Sequence, residues 1–277
     1  MMIMPDEAGA DYLWGQSKAE TDRIVSQAKV LRSASQRLLE SAGTKPGMRV
    51  LDAGCGAGDV ALLARDMVGP AGLVVGIDED AGILSVARAR ARAEGKPDIE
   101  FRQASAVSFA DPDGFDLVVC RFVLHHQHDP LSFLKALAAA VRPGGVLALH
   151  EPGVRAKQLS TPPVPLYEEA FEACFGAVRA ACPHHDVAYR LASLFHDAGL
   201  PQPHLFSETP TGSGEQCPFY ALVTDAFRSA RQVIETHGLW QGSTLPDDGM
   251  EQQIRIEAVR LHSQLQYPEQ ICAWVRL

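Results

Sequence analysis

The chain of 277 residues has no run of about 18 consecutive apolar residues, so no segment is expected to cross a bilayer as a helix. Its start, Met1 to Asp11, has neither the basic stretch nor the apolar stretch of a secretory leader. Positive charge is not in excess: 25 Lys and Arg stand against 34 Asp and Glu, for a formal net charge of −9. An acidic chain suits neither a nucleic-acid backbone nor an anionic membrane surface as its main partner. The six cysteines (Cys55, Cys120, Cys174, Cys182, Cys217 and Cys272) lack CxxC spacing. They read as reduced thiols of a cytoplasmic protein, not as a disulfide frame. Internal repeats and low-complexity tracts are also missing. The nearest approach is Ala87 to Ala93, whose Arg88, Arg90 and Arg92 do not share one helical face and read as a solvated surface.

What is present is a chain that is 46% hydrophobic, enough for one large domain or for a core with an attached cap. It is organised around Val50-Leu51-Asp52-Ala53-Gly54-Cys55-Gly56-Ala57-Gly58-Asp59. A short apolar run reaches an acid, passes three glycines at alternate positions, and resumes at Val60-Ala61-Leu62-Leu63-Ala64. That pattern predicts a buried strand, a tight turn and the first turns of a helix. Glycines there permit positive φ and a close backbone approach to a ligand, and the helix start behind them offers unpaired amides.

Elsewhere the chain alternates. Residues 16–42 carry Ile24, Val25, Ala28, Leu31, Leu38 and Leu39 at helical spacing. Strands are expected at 50–51, 73–77, 99–101, 115–120 and 146–150, with helices at 60–68, 81–93 and 131–141, the last stopped by Pro143-Gly144-Gly145. Continuous apolar strands separated by helices predict a parallel sheet covered on both faces, with its ligand beyond the carboxyl ends of the strands. After Glu151 the pattern changes. Helices are expected at 166–181, 187–198, 216–239 and 249–265, a strand at 204–207, a loop at 211–214 and a final strand at 270–275. The division this implies is an N-terminal helical arm (1–44), a cofactor-binding core (45–152), a helical lid insertion (153–185), a core helix and strand (186–212), a second lid insertion (213–267) and a last core strand (268–277).

The loop discriminates between ligands. A dinucleotide fingerprint G-x-G-x-x-G, counted from Gly54, needs glycine where Asp59 stands. Asp52 below the loop would also repel a pyrophosphate, whereas it attracts a ligand with a cationic amino group and no phosphate. S-adenosylmethionine is such a ligand.

On V-L-D-A-G-C-G-A-G-D, V-V-G-I-D, F-D-L-V-V-C-R-F-V-L-H-H and R-P-G-G-V-L-A-L-H-E-P, in this order from Arg49 to Glu151, the chain resembles the class I S-adenosylmethionine-dependent methyltransferases. The small-molecule type akin to ubiquinone/menaquinone-biosynthesis enzymes is the most similar. The stretches Tyr12 to Gln27 and Ala273-Trp274-Val275 resemble members with a helical lid. The resemblance implies a doubly wound (Rossmann-like), mostly parallel seven-stranded α/β sheet with a mainly helical lid, and S-adenosyl-L-methionine as cofactor. It places Gly54, Cys55, Gly56 and Gly58 under the methionine part. Asp52 is expected to bind or orient its amino end, directly or through water. Asp78 accepts both ribose hydroxyls, as a carboxylate accepting two hydrogen bonds suits, with Glu79 beside it. Arg121 and Phe122 line the methionine end, with Arg121 facing the carboxylate, and Tyr12 closes from the arm. The family's acid for the adenine amino group is replaced by Ser105, followed by Ala106. A serine accepts that hydrogen bond more weakly, so backbone groups are expected to share the adenine contacts.

Methyl transfer is an in-line displacement that gains from alignment and exclusion of water, and needs a base only where the acceptor has a proton to lose. His125 and His126 are candidates for that base, since a neutral histidine suits a phenol or amine. Trp14, His126, Glu151, Tyr167 and Phe171 are expected to form a largely apolar acceptor pocket with the lid. No metal is expected. Cys120-Arg121 stands where catechol-type relatives place an acid, and the His125-His126 and His184-His185 pairs show no third ligand at helical spacing. A cysteine-triad motif is absent, and so is the Asn/Asp-Pro-Pro-Tyr motif of enzymes that methylate nucleobases. The reading is therefore a methyltransferase acting at O, N or C of a small metabolite, as monomer or homodimer. A nicotinamide oxidoreductase and a non-catalytic regulator that kept the binding site are the rival classes.

Overall fold

The structure, a computed structural model, describes residues 18–155, 158–240, 242 and 249–277. Its strands are β1 Arg49–Ala53, β2 Leu73–Asp78, β3 Glu100–Gln103, β4 Phe115–Arg121, β5 Val141–Pro152, β6 Ser160–Thr161, β7 His204–Glu208, β8 Thr211–Gly212, β9 Gln264–Gln266 and β10 Gln270–Arg276. Its helices are α1 Lys18–Ser41, α2 Asp59–Val68, α3 Ala81–Ala93, α4 Pro130–Ala139, α5 Pro165–Ala181, α6 Leu191–Asp197, α7 Phe219–Thr236 and α8 Met250–Arg260.

Seven strands form one sheet in the order β3-β2-β1-β4-β5-β10-β7, parallel except for β10, which runs antiparallel to β5 and β7. The doubly wound sheet with flanking helices is thus observed. Side chains alternate between its faces, as the strand period of two requires. Val50, Val74, Leu117 and Val119 join the core under α2 and α3. Leu51, Val75, Val118 and Cys120 join the core shared with α4 and α6. Burial on both sides is why these strands are continuous apolar runs. Strand order reverses between β1 and β4, and the crevice at such a switch point is where open α/β sheets hold ligands. Local chemistry sets the helix starts: Asp80 accepts from Gly82 and Ile83 at the start of α3, and Asp129 with Pro130 begins α4.

The lid has a hydrophobic core of its own. Tyr167, Phe171, Cys174, Phe175 and Val178 on α5 meet Tyr220, Phe227 and Ile234 on α7 and Ile254 on α8. A small antiparallel sheet, β6-β9-β8, ties these insertions together.

Several boundaries differ from expectation. Residues 143–145 do not stop a helix: α4 ends at Ala139 and these residues belong to β5, where Gly144 and Gly145 pair with Leu277. Residues 187–198 split into a 3₁₀ turn, Val187–Arg190, and α6. The helix expected at 249–265 ends at Arg260, His262 takes a left-handed φ of 52°, and β9 follows. Part of the expected loop 211–214 is β8. Strands of two or three residues carry no legible period, since their partners are remote in sequence.

Candidate active site

The glycine turn after β1 follows from its backbone. Gly54, Gly56 and Gly58 have φ of 71°, 50° and 82°, a region that side-chain-bearing residues rarely enter. Gly54 and Gly58 are also required sterically. A Cβ at Gly54 would overlap Val123 Cγ2, and one at Gly58 would meet the Phe101 ring at 3.0 Å. At Gly56 nothing lies within 4 Å, so this residue faces open space. Cys55 is buried, and burial pushes its thiol up, so it packs under the turn as a neutral group.

Beneath the turn, Asp52 is 1% exposed and its Oδ2 accepts from the Ala61 amide at 2.9 Å. Gly58 starts α2 without a side-chain cap, so Asp52 satisfies one of that helix's first amides from below. Burial raises the Asp52 carboxyl from 3.8 to about 7, opposed by the charge of Arg121. Asp59, the first residue of α2, has two unlike oxygens. Oδ1 accepts from Arg90 at 2.6 Å, whereas Oδ2 is buried, 3.7 Å from Arg121 Nη2, and has no hydrogen-bond partner among the described residues. Arg90 also donates to Ala57 O at 2.6 Å, and Arg88 donates to Phe101 O. The solvated-surface reading of the arginine run is corrected here: these two side chains strap the turn and β3 to α3. Arg121 itself donates to Ser35 on α1 at 3.2 Å.

At the tip of β2, the half-buried Asp78 accepts from Gly56 N through Oδ2 (2.9 Å) and from Asp80 N through Oδ1 (3.0 Å). Its carboxyl is raised by burial. Each oxygen keeps acceptor capacity for a further donor. The neighbouring Glu79 is exposed, and its carbonyl accepts from Gln103. Ser105 and Ala106 are half-buried in a turn just past β3, where the Ser105 carbonyl accepts from Phe109 N at 2.9 Å.

Past β4, Phe122 adopts φ 61°, a left-handed conformation for a bulky side chain, and donates its amide to His150 O at 2.9 Å. Non-glycine residues held this way cluster at functional sites. Its ring packs edge-on against His125 and His150 and touches the lid core. Glu151 is fully buried: Oε1 accepts from Val123 N (3.1 Å) and Leu124 N (2.9 Å), and Oε2 lies 2.6 Å from His125 Nδ1. His126 lies 3.4 Å from Cys182 Sγ through Nδ1, and burial next to His125 lowers it to about 3, so it stays neutral. His150 is buried between Ser35 and Gln270 and is likewise lowered to about 3 by burial.

The described residues read as cofactor-binding lie at the carboxyl ends of β1, β2, β3 and β4, on one side of the sheet. The acceptor-pocket residues divide. Tyr167 is fully buried and donates its hydroxyl to Gln266 O, and Phe171 packs between Tyr167, Phe175 and Tyr267. Both pack in the core formed by the helical insertions. Glu151 is similarly turned inward, to His125. Tyr12 and Trp14 lie outside the described residues. Ser35, Gln270 and Cys182 had no sequence signal, since each comes from a segment remote from the motifs it joins. An open groove of about 980 Å³ between α1 and the start of α7, lined by Lys29, Arg37 and Phe219 among others, shares no residue with this site.

A family model described as a methyltransferase domain matches residues 44–199. The chain is 33% identical over 140 residues to a demethylmenaquinone methyltransferase of Lactococcus lactis, covering 50% of this chain and 53% of that protein. It is 43% identical over 101 residues to a ubiquinone biosynthesis O-methyltransferase of Paracidovorax citrulli, covering 36% and 41%. The chain thus spans about half the length of the curated relatives it matches. In fold it is similar to an N-methyltransferase of Haemonchus contortus in complex with S-adenosylhomocysteine, with a TM-score of 0.60 at 17% identity over 98% of this chain and 61% of that one.

Proposed function

The chain belongs to the class I S-adenosylmethionine-dependent methyltransferases through its methyltransferase domain, and on that premise we propose that it methylates O, N or C of a small, apolar or aromatic molecule. The observation that carries the reading is the composition of the cradle. An open glycine turn is flanked by an acid at the tip of β2 and stands over the buried carboxyl of Asp52. That acid attracts the α-amino group of S-adenosyl-L-methionine and repels a dinucleotide's phosphates.

In this reading Asp78 accepts from the ribose hydroxyls, Ser105 and Ala106 flank the adenine, and Gly54 to Gly58 support the methionine part. Arg121 faces its carboxylate. When bound, the cofactor supplies a methyl group on a positively charged sulfur, open to in-line attack. The protein's contribution is alignment and exclusion of water. Phe122 provides the aromatic surface where the site meets the lid, in keeping with relatives named for menaquinone and ubiquinone steps. For an acceptor that loses a proton, His125 is the better base of the two candidates. Glu151 fixes its ring at Nδ1 and offsets a developing positive charge, leaving Nε2 to accept. His126 faces Cys182 Sγ through Nδ1 and is held neutral by burial.

Calorimetry with S-adenosylhomocysteine and with NADH tests the cofactor reading; binding of NADH alone overturns it. Transfer of labelled methyl from S-adenosyl-L-methionine into a metabolite extract separates an enzyme from a regulator. Asp78→Ala is expected to weaken S-adenosylhomocysteine by about 1.5–3 kcal/mol, the range for hydrogen bonds to a charged group. Unchanged affinity would place the ribose elsewhere.

A further inference from the structure

Cys182 follows α5 in the lid, far in sequence from the His125-His126 pair, yet the fold brings the three together. One donor atom from each lies within 4.8 Å of the others, and His126 Nδ1 lies 3.4 Å from Cys182 Sγ. The two imidazole rings lie 3.9 Å apart between centroids. We propose that His125, His126 and Cys182 form a binding site for a soft or borderline divalent cation of the zinc class.

Three features of the geometry support this. The donor set is one thiol and two imidazoles, the ligands that zinc-class ions prefer over the oxygen ligands of magnesium or calcium. The separation of Nδ1 from Sγ is close to that of two ligands sharing one tetrahedral ion with bonds of about 2.0–2.3 Å. Glu151, 2.6 Å from His125 Nδ1, is the carboxylate that commonly stands behind a metal-bound histidine, fixing the ring and leaving Nε2 to the ion. The cluster is buried apart from His126, which is half-buried and gives the approach. On binding, the sulfur–metal bond forms as the thiol proton passes to solvent, so the site loses one positive charge for every two it gains. Three protein ligands leave a fourth position for water or another small donor.

A consequence rests on the function proposed above. A cation on His125 Nε2 occupies the lone pair that would otherwise take an acceptor's proton, so metal and base exclude each other there. The site thus reads as inhibitory for acceptors that need a base.

The test is direct titration of the full chain with Co²⁺ as a spectroscopic probe for zinc, followed by displacement with Zn²⁺. One Co²⁺ per chain is expected, with near-ultraviolet thiolate-to-cobalt charge-transfer absorption that Zn²⁺ abolishes. Cys182→Ser should remove that absorption, and His126→Ala should weaken Co²⁺ at least tenfold. Far-ultraviolet circular dichroism and melting identify any variant that has lost its fold, and the wild-type stoichiometry and absorption stand apart from them. Absence of the charge-transfer band in wild type overturns the site, as does a band retained in folded Cys182→Ser. Neither result depends on methyl transfer, so failure here leaves the cofactor reading intact, and failure of the cofactor reading leaves the metal site intact.

Discussion

Glu151→Ala is expected to destabilise the protein by about 3–5 kcal/mol, because donors in the core lose the carboxylate that accepts from them. Glu151 has no exposed surface and takes the Val123 and Leu124 amides on one oxygen and faces His125 Nδ1 with the other. Truncation leaves the buried Leu124 amide and His125 ring and the part-buried Val123 amide without their acceptor, at about 1–3 kcal/mol for each buried group before relaxation. Glu151→Gln separates the parts. Its amide oxygen keeps the two backbone contacts, while its NH₂ faces Nδ1 and moves the ring proton to Nε2. The glutamine variant should therefore retain most of the stability that alanine loses. It should nonetheless lower kcat by about 10²–10⁴-fold for an acceptor that needs a base, with S-adenosylhomocysteine affinity unchanged. Urea denaturation measures the first effect and steady-state kinetics the second. An alanine variant as stable as wild type would remove Glu151 from the core network, and a glutamine variant with full kcat would remove His125 as base.

The second large effect concerns Asp52. Its carboxyl is raised from 3.8 to about 7 by burial, so the folded state holds a proton that the unfolded chain has already lost. Stability from this group is complete below about pH 4, declines as pH rises, and is lost once pH passes about 7. At about 1.36 kcal/mol per pH unit, the penalty above pH 7 approaches 4 kcal/mol. Asp52→Asn retains an acceptor for the Ala61 amide and removes the ionisation. The variant is expected to be more stable than wild type at pH 8 by up to about 4 kcal/mol, with the difference vanishing towards pH 4. It should also bind S-adenosylhomocysteine at least tenfold more weakly, because the negative charge that attracts the amino end is gone. Melting temperatures across pH 4–8 and calorimetry at pH 8 check both halves. A pH-independent difference in melting would show that Asp52 titrates normally.

These two residues also mark the limit of what could be read from the chain. Asp52 was legible because it sits two residues before a glycine turn. Its downward-facing contact to Ala61 was not, since a sequence does not show which oxygen faces the helix behind the loop. Glu151 was legible as an acid at the end of a strand, but its contact with His125 was not, because it needs β4 and β5 side by side. Arg90 looked like solvated surface by helical periodicity, yet α3 lies close enough to the glycine turn for it to reach Ala57 and Asp59. Tyr167 and Phe171 had the right spacing for one helix face. Which surface that face meets is set by α7 and Tyr267, many residues away.

The sequence by itself determined the sheet core, the position of the crevice and the class of cofactor. These rest on local signals: apolar runs, glycines where φ must be positive, and acids at fixed offsets from them. Only the tertiary structure decided the small sheet of the lid, the strapping arginines, the His125–Glu151 pair and the meeting of His125-His126 with Cys182. Each of these depends on contacts between residues far apart in the chain, and no local pattern of residue types encodes a contact whose partner is specified only by packing.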